Sequence, residues 1–152
     1  MHTENLRESL AWTTAFHTDL RDCLRQCSER ASDERAVLLL DYLAAHEDKL
    51  AKVISSFREE ASEDALNTWC NEYFRENPIV PHKFCNMPLS QLTTDEIMEL
   101  LIFDHTQVIE LYKTWYEKAT IPSLREVLKQ LVELEEHEMM TMMQGANRLD
   151  DI

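Results

Sequence analysis

The sequence predicts an all-α fold, a four-helix bundle of two helical hairpins joined by a long crossover, on three observations. Glycine occurs once, at Gly145, and proline four times in 152 residues. Sandwiches and barrels need a turn residue every ~8–12 positions, and this supply does not furnish them. Apolar residues recur at alternating spacings of three and four over four stretches of about 25 residues. Between the second and third stretch lies a segment of roughly 35 residues, with Pro78, Pro81 and Pro88, longer than most loops and long enough to cross a bundle. At 17.9 kDa the chain reads as one domain, residues 1–152.

The elements follow in order. Helix 1 is expected over about residues 4–29, on the stripe Leu6, Leu10, Thr13, His17, Leu20, Leu24 and Cys27. Ser32 or Asp33 can cap helix 2, about 33–59, which carries Ala36, Leu39, Leu43, His46, Leu50, Val53 and Phe57. The crossover occupies about 60–93, with a short helix around Asp64–Phe74. Thr93 or Thr94, ahead of Asp95 and Glu96, starts helix 3, about 94–119, on Met98, Leu101, His105, Val108, Tyr112, Trp115 and Ala119. Pro122 marks the turn into helix 4, about 123–148.

Composition and charge exclude several functions. One glycine cannot build a P-loop, a dinucleotide-binding turn or a nucleophile elbow. Twenty-nine acidic against 15 basic residues give a net charge of −14, which repels phosphate backbones and anionic lipid. No nucleic-acid or membrane partner is therefore expected. No apolar run is long enough for a bilayer, and the polar start MHTENLRESLAW lacks a signal pattern, so the cytoplasm is the expected location. Cys23, Cys27, Cys70 and Cys85 are expected as reduced thiols. Cys23 and Cys27 share a helix face, as core fillers or as a redox or soft-metal pair.

Four histidines carry the functional signal. His17 and His46 flank the first turn at 14 and 15 residues, and His105 and His137 flank the second at 16 each, counting from Ala31 and Ile121. At 1.5 Å per residue all four lie roughly 21–24 Å from their turns, in one central layer. Neutral imidazole is the commonest metal ligand, and facing bundle helices are a usual place for a metal site. His17, His46, His105 and His137 are the candidate ligands, with Glu138 ranked beside His137. Glu47, Glu135 and Asp104 are candidates to orient the rings. On helix 4, Leu124, Val127, Leu128, Leu131 and Met142 centre a face nearer Glu135 and Glu138 than His137. The run Met139, Met140, Met142 and Met143 widens that face, as core or as contact with a second copy, so a homodimer is expected.

The hairpin–crossover–hairpin order, with a metal-type residue midway along each helix, resembles the ferritin-like superfamily. LVELEEHEMM is similar to helix 4 of its rubrerythrin-type members. The resemblance implies a site in which each hairpin supplies a Glu and then a Glu-x-x-His, holding two iron or manganese ions. His46 and His137 would occupy the histidine positions, with Leu43 and Leu134 where glutamates stand in that family. His17 and His105 would stand in place of its lone glutamates. No Glu-x-x-His and no His-Glu-x-x-His occurs, the latter excluding a zincin.

Three functions remain open. The first is a metal-binding ferritin-like protein of redox or metal-handling kind, with iron, manganese or zinc. The second is a structural or adaptor bundle that dimerises and binds no metal. The third is a bis-histidine haem bundle, with Thr13, Thr14, Ala44 and Ala45 leaving room for a macrocycle. No catalytic residue is assigned, and His2 and His82 are expected in solvent.

Overall fold

The computed structural model describes residues 5–70 and 92–150. These residues are all-helical: α1 (Leu6–Arg30), α2 (Glu34–Glu60), a single-turn α3 (Glu63–Leu66), α4 (Thr94–Lys118) and α5 (Pro122–Asp150). No strand occurs among them, only one isolated bridge between Asn5 and Trp69. The four long helices match the expected ones to within about two residues. The short helix ends at Leu66, and residues 71–74 of its expected span lie outside the described residues. So do His2, His82, Cys85 and the prolines at 78, 81 and 88.

Four of the five helices begin where a side chain can satisfy their free amides. Asn5 accepts from the Glu8 amide at 3.0 Å, Asp33 from Arg35, and Ser62 from Ala65. Thr93 and Glu96 form a reciprocal capping box at α4. Proline stands at the first position of α5, where its missing amide costs nothing. At the turn before it, Arg125 donates to the Tyr116 and Ala119 carbonyls at 2.8 and 2.9 Å and stacks over the Tyr116 ring.

Side-chain contacts give the helix directions. Arg21–Asp48 and Ser28–Asp41 pair α1 with α2 antiparallel. Tyr42–Thr141 and His46–Glu138 do so for α2 and α5, and Thr13–Tyr112 with His17–His105 for α1 and α4. α1 and α5 therefore run one way and α2 and α4 the other. The end of α2 and the start of α4 consequently lie at opposite ends of the molecule. The core between the helices is built from leucines 6, 10, 24, 39, 40, 43 and 50 with Ile54, Tyr112 and Trp115. Among the described residues no helix is long and apolar enough to cross a membrane.

Cys27 and Cys70 are buried and outside any disulfide, and burial pushes the Cys27 thiol up. Cys23 is disulfide-bonded, so the expectation of four reduced thiols fails there. With Cys23 oxidised and Cys27 in the core, the two are not a thiol pair.

Gly145 is where the fold needs a missing side chain. A Cβ there would lie 2.1 Å from the Tyr42 Oη, which donates to the Thr141 carbonyl at 2.8 Å. Alanine ordinarily stabilises a helix over glycine by about 1 kcal/mol. Gly145→Ala is instead expected to lower the melting temperature, because the rigid phenol must swing away and lose its bond. Adding Tyr42→Ala should restore the alanine's benefit. Thermal melts of the single and double variants check this; a single variant more stable than the parent would exclude the close fit.

Candidate metal centre

Each long helix carries a buried stripe spaced by three and four, and each stripe is interrupted near its middle by an ionisable residue, twice on α5. On α1 the stripe runs Leu10, Thr13, His17, Leu20, Leu24, and on α4 it runs Leu101, His105, Val108, Tyr112. On α2 it is Leu40, Ala44, Glu47, Ala51, Ile54. On α5 it is Leu124, Leu128, Leu131, Glu135, Glu138, Met142. His17, Glu47, His105 and Glu135 thus meet in the core, every one of their side chains 0 % exposed.

They close a ring of alternating imidazoles and carboxylates. His17 donates from Nδ1 to Glu47 Oε2 and from Nε2 to Glu135 Oε1, both at 2.7 Å. His105 Nε2 donates to Glu47 Oε1 in a short hydrogen bond. On the fourth side His105 Nδ1 and Glu135 Oε2 form an ion pair 3.3 Å apart, and neither atom has a hydrogen bond of good geometry. The imidazole rings lie 5.0 Å apart at 42°. The buried His17, His105 and Glu135 have a ligand atom each within 4.8 Å of one another, so this group could hold a metal ion.

Electrostatics bind the ring as two imidazolium–carboxylate pairs. Burial is the strongest single influence on His17 and pulls its pKa down, but the charges of Glu135 and Glu47 together outweigh it and raise the value to about 9. The same opposition, with Glu47 the strongest raising charge, brings His105 to about 10. Burial pushes Glu47 up, yet the charges of His105 and His17 hold it down at about 2. Glu135 is lowered likewise, against its burial, chiefly by the charge of His17. Four ionisable groups share the interior at no net charge, which is what makes their burial tolerable.

Of the five expected ligands, His17, His46, His105, His137 and Glu138, two stand in the ring and three do not. His17 and His105 enter the ring. His46 does not: its side chain is 17 % exposed and donates from Nδ1 to Glu138 Oε2 at 3.0 Å. Leu39, Leu43 and Leu50 of the expected stripe are buried, but so are Leu40, Ala44, Ala51 and Ile54, while Ala36, Val53 and Phe57 are only half-buried, so the buried face of α2 is rotated by about half a residue step, roughly 50°, from the expected stripe. That rotation brings in Glu47. His137 is exposed, because the inward face of α5 is the one bearing Glu135 and Glu138. Glu138 is buried but bonds His46 and Lys49, outside the ring. Glu47 and Glu135, expected to orient the rings from behind, are members of the ring itself. Asp104 is fully buried beside His105.

The ring leaves none of the His17 and His105 nitrogens clear of a carboxylate for a haem. Three of their four ring nitrogens donate to a carboxylate and the fourth faces one, so axial ligation would break the ring open. Thr13, one of the residues expected to leave room, is buried and bonded to the Ser9 carbonyl and to the Tyr112 hydroxyl. Comparison with protein families, characterised proteins and solved structures finds no match to this chain.

Proposed function

We propose that the protein is a ferritin-like four-helix bundle whose business is to hold a divalent transition metal, iron, manganese or zinc, in the His17–Glu47–His105–Glu135 ring. The observation that carries the reading is the fourth side, where His105 Nδ1 faces Glu135 Oε2 without a well-formed hydrogen bond. Buried polar atoms without such a bond are rare in folded proteins, and one that is part of an imidazole–carboxylate ring is the kind a cation satisfies. Ligand atoms about 2.1 Å from one ion and at right angles are about 3 Å apart. The N···O separations of 2.7 and 3.3 Å fit that spacing with little movement. Two imidazoles with one or two carboxylates and no thiolate suit iron, manganese and zinc rather than soft copper. When bound, the ion would supply Lewis-acid or one-electron chemistry, while the residues hold it, exclude water and set its charge. The opposed helix directions, with α2 ending far from the start of α4, support the ferritin-like arrangement.

A structural reading, in which the ring is only a folding element, has its own support. Three sides are already hydrogen-bonded, and the charges balance without an ion. Metal content separates the two. Tag-free protein purified without chelator is expected to carry about one ion per chain by plasma mass spectrometry, and His105→Ala to lose it. If the parent neither carries metal nor takes up added Fe(II), Mn(II) or Zn(II), the structural reading replaces the metal one.

Pairing with a second copy is part of the proposal. A groove between α4 and α5 is lined by Met98, Ile102, Met143 and Ala146, and Phe103 and Met140 are exposed on the same helices. Sedimentation equilibrium is expected to return a dimer, and a Phe103→Glu/Met140→Glu variant a monomer.

A further inference from the structure

The ring is sealed from solvent, so an ion held there must pass through the side chains around it. On α2 the residue before Glu47 is His46, and on α5 Glu138 follows Glu135 by one turn, about 5 Å along the axis. These neighbours meet: His46 Nδ1 donates to Glu138 Oε2 at 3.0 Å, and Lys49 Nζ donates to Glu138 Oε1 at 3.1 Å. Side-chain exposure falls inward, from 63 % at Lys49 to 17 % at His46 and 3 % at Glu138, with the ring beyond at 0 %. We infer that Glu138 and His46 form the entry station through which a divalent transition-metal ion reaches the buried ring, with Lys49 as its displaceable closing charge. The inference rests on the metal reading above.

Each member has the chemistry that this role requires. Glu138 sits in a buried stripe between Leu131 and Met142, where an aliphatic side chain would serve packing better. It is not part of the ring and so is not needed to complete it. A carboxylate and an imidazole offer an incoming ion two replacement donors for the water it sheds. The Lys49 ammonium holds the carboxylate only through an exposed, flexible stem, and such pairs are weak enough to exchange readily. Tyr42 backs the station. Its ring lies 4.5 Å from the His46 ring, and its hydroxyl is anchored on the Thr141 carbonyl.

Cobalt(II) loading of the metal-free full-length protein tests this, followed by stopped-flow absorbance, with final stoichiometry by plasma mass spectrometry. Glu138→Gln is expected to load about tenfold more slowly than the parent, and Lys49→Met severalfold faster, since one removes and the other unmasks an attracting charge. Both should reach the parent's final stoichiometry. Opposite signs are the signature, because a merely loosened bundle would speed loading in both variants. Equal rates in all three proteins, or faster loading in both variants, overturn the inference while leaving the ring a metal site. Glu138→Gln that binds less cobalt at equilibrium also overturns it, making Glu138 a ligand. A parent that takes up no cobalt overturns the metal reading, and the entry station with it.

Discussion

Glu47→Ala is expected to destabilise the metal-free protein by about 3–5 kcal/mol at neutral pH, the usual consequence of removing one partner from a buried ion pair. The carboxylate accepts from both histidines, so its loss strands His17 Nδ1 and His105 Nε2 in a dry interior. The two imidazoliums, 5.0 Å apart, then face each other with Glu135 as their remaining counter-charge. Burial, already the strongest pull on both, prevails and drives a proton off. Replacing His17, Glu47, His105 and Glu135 together by leucine or methionine should behave differently. Apolar substitution of a whole buried ion network is often neutral or stabilising, because no charge is left uncompensated. The quadruple variant is therefore expected to fold and bind no metal. Urea titrations read both effects from the midpoint at constant slope. A Glu47→Ala midpoint equal to the parent's would show that the ring is not assembled in solution.

The metal-free protein is expected to be most stable between about pH 4.5 and 6.5 and to weaken above that range. His17 and His105 have folded pKa values near 9 and 10 against an ordinary 6.5. Raised values mean that their contribution is complete below 6.5 and is lost as pH climbs through 9 and 10. Glu47 lies near 2 against an ordinary 4.5, so its contribution is complete above 4.5 and lost as pH falls toward 2. Each raised value is worth about 3 kcal/mol or more, so the alkaline loss should be plain in denaturation midpoints taken from pH 6 to 10. A bound ion replaces the ring protons, so the loaded protein should hold its stability into the alkaline range. Loading at pH 7 should also release protons, seen as acidification of a weakly buffered indicator solution. A metal-free midpoint flat to pH 10 would remove the imidazolium–carboxylate description of the ring.

The level of the ring along the helices was legible in the chain, but the identity of half its members was not. His17 and His105 stand on stripes whose phase is unambiguous, Leu10 to Leu24 and Leu101 to Tyr112. Glu47 and Glu135 left a signal as well: each is a charged residue at the centre of a three-and-four apolar spacing, Leu40–Ala44–Glu47–Ala51–Ile54 and Leu128–Leu131–Glu135–Glu138–Met142. A second stripe through Leu39, Leu43, His46 and Leu50 competes with the first on α2, and the histidine in it carries the more obvious chemistry. On α5 the broad methionine face blurs the phase in the same way. The disulfide at Cys23 had no sequence signal, since no spacing rule distinguishes a bonded from a free thiol here.

From residue order alone came the helical class, the four long helices with caps narrowed to Ser32 or Asp33 and Thr93 or Thr94, and the central level of the polar residues. These follow from local rules: hydrophobic period, capping chemistry, proline placement and a rise of 1.5 Å per residue. Tertiary structure decided which of two neighbours looks inward, Glu47 rather than His46 and Glu138 rather than His137. Adjacent residues differ by 100° on a helix, while an apolar face spans at least that arc, so either neighbour satisfies the local pattern. The choice is made across the interface. Two imidazoles need two carboxylates to be buried without net charge, and only the packing of α2 and α5 against α1 and α4 brings those carboxylates within 2.7 Å of His17.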